Sequence, residues 1–395
     1  MTPYFYPAEA FGGPVKVAFD VGRELVRRGH EVVVFTSDAK DLNNRIDAGS
    51  NEIEGIKVYY FRNLSMSLVK WSKLFITPGL PKMMTAHLKS FDVVHVHEYT
   101  TYQNIVVHNL AKKFGVPYVL QAHGSLPKIG RTSRKKVYNA LFGNALLRDA
   151  SKVIALGEIE ADQYKSAGVP VERIAIVPNG IDLSEYSNLP SKGSFKKKFG
   201  LPENKKIVLY LGRIHETKRV DLLVEAYAQL IKEMGVKDSV LVIAGPDDGF
   251  LNKAKSMAQS LGVSSSICFA GFISKEDKLK ALVDAYVFVT PSFYGFPMTF
   301  LEACAVGVPI IVTNFGDSLD WIDQKAGYEV PPTKSDLAVA INRIISNYKL
   351  QNDYSRNCRE IVRSEFSLKQ VVDKLERIYS EITKNKCNNN LKWGD

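Results

Sequence analysis

Pro291-Ser292-Phe293-Tyr294-Gly295-Phe296-Pro297-Met298-Thr299-Phe300-Leu301-Glu302-Ala303 is the stretch whose reading decides the fold. The apolar run Val287 to Thr290 predicts a strand that feeds a loop marked by Gly295 and Pro297, and Phe300, Leu301 and Ala303 to Ala305 begin a packed helix. The first turn of such a helix presents unpaired amides to an anionic ligand. Glu302, just inside the helix, is then placed to accept hydrogen bonds from ribose hydroxyls.

Outward from this stretch the same alternation repeats. Strands are predicted at Ile207 to Leu211, Val240 to Ala244, Ile267 to Phe269 and Ile310 to Thr313, with helices between them. The first half reads likewise, with strands at Glu31 to Thr36, Val58 to Phe61, Asp92 to His97, Tyr118 to Ala122, Val153 to Ala155 and Ala175 to Val177. Strand alternating with helix means an α/β fold with parallel sheets and a ligand crevice at the strands' carboxyl ends. A chain of 395 residues is too long for one ordinary domain and fits two such halves.

Hydrophobic content of 45% and charged content of 24% are those of a soluble globular protein. The net charge of +10 calls for an anionic partner, a nucleotide diphosphate, a lipid phosphate, a phospholipid surface or nucleic acid, without choosing among them. Cys268, Cys304, Cys358 and Cys387 lack the close pairing of a zinc or redox site and read as reduced thiols. With no apolar run near roughly 18 residues and no signal pattern, a cytoplasmic or peripheral protein is expected.

Gly212-Arg213-Ile214-His215-Glu216-Thr217-Lys218 places two cations on the loop leaving a strand. Arg213 can fork onto two phosphate oxygens while Lys218 acts as a point charge. Two solvated loop cations would be the simpler reading of that pair alone; its strand-end placement, together with Glu302, favours a diphosphate site. Gly12-Gly13-Pro14 opens the first helix and suits a close backbone approach to an anion or sugar, although a double glycine is also an ordinary loop.

These motifs, taken in order from Tyr4 to about Ile382, resemble those of glycosyltransferase family four. The resemblance implies the GT-B architecture: two doubly wound Rossmann-like domains facing a cleft, with a last helix crossing back to the first domain. The expected bounds are 1–182 for an acceptor-binding domain, 183–365 for a nucleotide-sugar domain, 366–383 for the crossing helix and 384–395 for a disordered tail. Pro178-Asn179-Gly180-Ile181-Asp182, also an Asn-Gly turn, is similar to the family's interdomain hinge. In the family a strand precedes the glycine loop, whereas Met1-Thr2-Pro3 leads straight into it; the expectation is a natural start upstream of Met1.

The resemblance further implies retaining transfer of a sugar from a nucleotide diphosphate to a glycan or lipid-linked acceptor, with no metal and no other cofactor. Arg213 and Lys218 correspond to the family's diphosphate clamp, and His123 to a histidine near the reacting sugar. Its role is positioning and charge stabilisation. Donor contacts are expected from Gly13, from the nucleobase segment Gly271, Phe272 and Ile273, and from Tyr294, Gly295, Phe296, Thr299, Phe300 and Glu302. The family's signature carries two glutamates; Glu302 matches the second, and Tyr294 stands where the first would fall. On the acceptor or membrane side the candidates are Gly12, Trp71, Lys128 and Arg131, Trp71 belonging to the basic and apolar run Leu68 to Ile76 and the two cations to the stretch after His123.

His95 and His97 alternate along one strand, and their rings are expected on opposite faces with no metal pair between them. Asp247-Asp248 reads as a turn and not as the acid pair of a metal-dependent enzyme. A non-catalytic nucleotide-sugar-binding protein and a GT-B epimerase remain as alternatives. A dehydrogenase does not, since no Gly-x-Gly-x-x-Gly follows an early strand, and nucleic-acid binding has only net charge in its favour.

Overall fold

A computed structural model of the chain describes residues 1–126, 132–293, 295–315 and 319–391, the side chains of 132–134 and 385–391 excepted. It divides into two units, Met1–Gly180 with Leu368–Asp395, and Ile181–Ser367.

In the first unit β1 (Val33–Ser37), β2 (Gly49–Ile53) and β3 (Ile56–Phe61) form a sheet of order β1-β3-β2, and β4 (Val94–His97), β5 (Tyr118–Gln121), β6 (Lys152–Ala155) and β7 (Ile174–Ile176) form one of order β4-β5-β6-β7. Met1 and Thr2 hydrogen-bond to both sheets. The Met1 amine donates to His95 O, His97 N–H donates to Met1 O, and Thr2 N–H donates to Phe35 O. All pairings are parallel except β2 with β3, which corrects the expectation of purely parallel sheets. Its sequence, Gly-Ser-Asn-Glu-Ile, is exposed almost throughout and shows no apolar alternation by which to find it.

The last helix, Leu368–Leu391, packs on the helix Gly13–Arg27 of this unit. Arg28 donates to Asp373 and Glu376 at 2.6 Å each and to Lys369 O at 2.8 Å, and Tyr379 reaches His95. The helix starts two residues later than the sequence implies, because Ile181 N–H bonds Phe366 O. It also runs to Leu391, past Lys384, where an unstructured tail was expected. No helix of the described residues is long and apolar enough to cross a membrane.

The second unit holds one six-stranded sheet of β8 (Lys206–Leu211), β9 (Ser239–Ala244), β10 (Ile267–Gly271), β11 (Ala285–Thr290), β12 (Ile310–Thr313) and β13 (Gly327–Val330), in the order β10-β9-β8-β11-β12-β13. Each pair is parallel, and β8, β9, β11 and β12 are apolar runs buried along most of their length, as strands covered on both faces must be. Leu222, Leu223, Ala226, Tyr227 and Leu230 of the helix Val220–Lys232 close one face of that core.

Candidate functional site

Counted within the second unit, the strand order is 3-2-1-4-5-6, which reverses direction between β8 and β11. At such a switch point the connections leave in opposite directions and open a crevice at the carboxyl ends of the two strands. Gly212 and Arg213 follow β8, and the segment ending in Glu302 follows β11. The topology therefore gathers these sequence candidates at one place.

The β8 loop is held by backbone. Gly212 N–H donates to Ala244 O, Ile214 N–H to Pro246 O and Asp248 N–H to Ile214 O. Gly245 is obligatory here: at φ +147° its Cβ would stand 1.8 Å from Gly212 O. Asp247 accepts from the N–H groups of Gly249, Phe250 and Leu251, so it is the turn residue the sequence suggested. Asp248 pairs with the exposed Arg213 guanidinium, a partner the sequence reading missed. Lys218 ends a short turn, Glu216–Lys218, and is half-buried. No side chain among the described residues neutralises it, and burial together with the nearby Arg213 charge lowers its pKa.

Glu302 lies in the second turn of the helix Met298–Val306, with its side chain only 3% exposed. A buried carboxylate requires a partner, and Lys278 Nζ supplies one at 2.6 Å from Oε1. Oε2 is buried without a hydrogen bond among the described residues. Lys278 belongs to the helix Lys275–Asp284, which starts just beyond Gly271, Phe272 and Ile273. Gly271 turns at φ +67° and accepts Gly245 N–H, and Phe272 is 79% exposed. Gly295 turns at φ +71°, and Thr299 is half-buried in the helix's first turn.

Two expected donor contacts belong to the core. Phe300 is fully buried against Phe288 and Phe293, and its N–H returns to Pro297 O. Phe296 packs on Trp321 and Phe366. Apolar side chains beside a ligand loop satisfy packing first. Tyr294, Lys128 and Arg131 lie outside the described residues.

In the first unit Gly12 caps the helix Gly13–Arg27 at φ +86°, ψ −149°, a conformation open to glycine. His95 and His97 share a face, contrary to expectation: their rings stack at 4.3 Å, as residues two apart on a strand must point the same way. His97 Nδ1 lies 2.8 Å from His123 Nε2, and His95 Nδ1 lies 2.6 Å from the Tyr379 hydroxyl. Burial pushes His95 and His123 each down to about 3 and His97 well below its ordinary value. Burial thus favours the neutral imidazole of His123 over the cation. Among the described residues no group of three or more histidines, cysteines or carboxylates is placed to hold a metal ion.

Trp71, 72% exposed, stands on the helix Met66–Ser72, with Leu64 and Leu74 also exposed nearby in sequence. Val137 and Leu141 form a second exposed apolar group beside Lys136. Both segments are tied to the start of the helix Tyr102–Phe114, through Gln103 Nε2 to Phe75 O and the Tyr138 hydroxyl to Thr101 O.

The second unit is thus a doubly wound sheet with cations after its first strand and a buried acid beyond its fourth. Residues 11–185 match the description Glycosyltransferase Family 4 and residues 191–361 match Glycosyl transferases group 1, so the two span most of the chain. The chain belongs to glycosyltransferase family four, has the GT-B fold and is a transferase enzyme. It is 24% identical over 393 residues to an uncharacterized glycosyltransferase of Methanocaldococcus jannaschii, covering 96% of this chain and 97% of that one. It is 28% identical to the UDP-Gal:alpha-D-GlcNAc-diphosphoundecaprenol alpha-1,3-galactosyltransferase of Escherichia coli, over 84% and 86% of the two chains. A crystal structure of Anabaena HepE in complex with UDP and glucose superimposes with a TM-score of 0.75 at 18% identity, over 96% and 99%.

Proposed function

We propose that this transferase moves a sugar from a uridine diphosphate donor to a hydroxyl of a glycan or lipid-linked acceptor, with retention at the anomeric carbon and without a metal ion. The observation that carries the reading is that the loop with Arg213 and Lys218 and the helix with Glu302 both follow strands at the β8/β11 switch point, where among the described residues no acid neutralises Lys218 and Glu302 Oε2 has no hydrogen bond. Uridine is favoured by the Escherichia coli relative, a UDP-Gal transferase, and by the HepE complex with UDP.

When the glycosidic bond breaks, its electron pair passes to the diphosphate oxygen. Fixed cations lower the energy of that developing charge, and Arg213 and Lys218 are the cations available. The acceptor oxygen forms the new bond to the anomeric carbon on the face the diphosphate leaves, and its proton passes to the departing phosphate oxygen. Glu302 accepts from ribose hydroxyls and fixes the nucleoside. His123 positions the sugar as a neutral hydrogen-bonding group.

A lipid-linked acceptor is supported by the exposed Trp71 and Leu141 groups with their neighbouring lysines, a combination that docks at an anionic lipid surface. Such docking places the protein peripherally on the cytoplasmic face. The reading is tested by thermal-shift screening of UDP-, GDP- and ADP-sugars, followed by NMR of the product anomer with and without chelator. Stabilisation by UDP-sugars and a retained anomer made equally well in chelator are expected; an inverted anomer or strict metal dependence refutes it.

A further inference from the structure

His97 ends β4, and His123 lies just past the neighbouring parallel strand β5, in which Gln121 stands opposite His97. The turn that bears His123 is fixed by hydrogen bonds on both sides. Gly124 N–H donates to Glu160 Oε1 at 2.7 Å, Ser125 N–H to Ala122 O at 3.0 Å, and Ala122 N–H to the Tyr164 hydroxyl at 3.1 Å. His123 itself sits at φ +52°, a left-handed conformation that is costly for any side chain and marks a placement enforced by its surroundings. Its ring thereby meets that of His97, with centroids 5.1 Å apart, and His97 in turn stacks on His95 at 4.3 Å.

His97 Nδ1 and His123 Nε2 are 2.8 Å apart, and a hydrogen bond of that length needs one proton between them, neither two nor none. Burial holds both rings neutral near neutral pH. A neutral imidazole carries a single N–H, so the shared proton sets two tautomers at once. When it sits on His97 Nδ1, His123 carries its own proton on Nδ1. When it sits on His123 Nε2, His97 carries its own on Nε2. The two rings therefore share one tautomer, both Nδ1–H or both Nε2–H. Going from the first state to the second, the shared proton crosses to His123, one proton leaves at His123 Nδ1 and one enters at His97 Nε2, and neither ring becomes charged.

His97 is buried, whereas His123 is partly exposed. Among the described residues no other group bonds His123 Nδ1, which leaves that nitrogen for a substrate. It donates in the first state and accepts in the second. We propose that His97 is the positioning residue of His123: by linking the two tautomers it lets His123 serve a sugar oxygen as donor or as acceptor while staying uncharged. The proposal rests on the transferase reading, in which His123 positions the sugar, and adds to it the residue that sets the hydrogen-bonding role of His123.

Two-bond proton–nitrogen correlation spectra of protein labelled with nitrogen-15 histidine read the tautomers, with His97→Phe and His123→Gln assigning the signals. Hydrolysis of UDP-glucose and UDP-galactose reads the function. His97 and His123 should show the same tautomer, or the same average of the two. His97→Phe keeps a flat ring in the stack without a polar atom and should lower the hydrolysis kcat by about tenfold, with KM changed less than about threefold. His97→Asn, whose amide can donate or accept in place of Nδ1, should recover part of that kcat. Opposite tautomers in the wild-type protein overturn the proposal, as does a wild-type kcat in His97→Phe. An equal loss of kcat in His97→Phe and His97→Asn also overturns it, being what lost packing alone would give. Should His97→Phe fail to fold, the wild-type spectrum and His97→Asn decide by the same criteria: opposite tautomers overturn the proposal, and matched tautomers with kcat largely kept in His97→Asn uphold it. A wild-type protein that hydrolyses neither UDP-sugar would count against the donor reading, and the tautomers would still decide whether His97 sets those of His123, which keeps the two failures apart.

Discussion

Lys278 Nζ and Glu302 Oε1 are 2.6 Å apart, and this ion pair joins the helix that follows Gly271, Phe272 and Ile273 to the helix that carries the buried acid. Oε1 is taken by Lys278, and among the described residues Oε2 has no hydrogen bond, so the carboxylate has that oxygen to offer a ligand.

Replacing Lys278 by Met strands the carboxylate. Breaking such a pair on one side costs stability, here roughly 1–3 kcal/mol because the ammonium is partly solvated. It also frees Glu302 to turn, so UDP should bind about tenfold more weakly while 2′-deoxy-UDP loses less, and Lys278→Arg should restore part of the difference. Calorimetric titration of both nucleotides reads this. An equal loss for the two would mean that Lys278 does not position Glu302.

The candidate site was legible in the sequence where polar residues sit at the end of an apolar run. Arg213, Lys218 and Glu302 each follow a strand that its residues announce, and strand order then brings them together. Lys278 gave no such signal, since it is one lysine of a solvated helix 24 residues from its partner. Phe300 was misjudged because a residue within a binding signature can serve the core. The strands β2 and β13 escaped because short edge strands need no apolar alternation.

Gly245 makes a second prediction. A Cβ there meets Gly212 O at 1.8 Å, a backbone atom that cannot swing aside, so Gly245→Ala must displace the loop bearing Arg213. Gly262 offers the comparison, since it has φ +63° but only the flexible end of Lys232 nearby. Gly262→Ala should cost about 1 kcal/mol in urea unfolding and leave UDP affinity unchanged. Gly245→Ala should cost more than that and lower UDP affinity over tenfold. Undisturbed UDP binding in Gly245→Ala would show that the loop's position is immaterial.

Arg213 and Asp248 form an exposed pair, and such pairs are worth about 0–1 kcal/mol. A diphosphate can therefore take the guanidinium from Asp248 at little cost. Asp248→Asn should change the UDP dissociation constant less than about threefold, whereas Arg213→Ala and Lys218→Ala should each lower the rate of donor hydrolysis by about 100- to 1,000-fold. Arg213→Lys should recover only part of the rate, having lost the fork. A drop for Asp248→Asn as large as for Arg213→Ala would assign the acid a direct role instead.

The stacked imidazoles of His95, His97 and His123 make the protein sensitive to acid. Burial holds all three below the ordinary value of 6.5, so the unfolded chain binds more protons than the folded one as pH falls beneath that value. Their contribution is complete above pH 6.5 and is lost progressively toward the folded values of about 3. Each neutral imidazole adds a slope of up to about 1.4 kcal/mol per pH unit, and carboxylates join below about pH 5. Between about pH 5 and 6.5 the loss comes from the histidines together with the buried Met1 amine, which burial lowers from 8.0 to about 5, and the His97 share is read from the difference between variant and wild type. His97→Gln keeps a hydrogen-bonding side chain beside His123 while removing one titrating group, so urea unfolding of this variant should show a shallower loss of stability across that window. Parallel curves for variant and wild type would mean that the His97 imidazole takes up its proton as readily in the folded protein as in the unfolded chain.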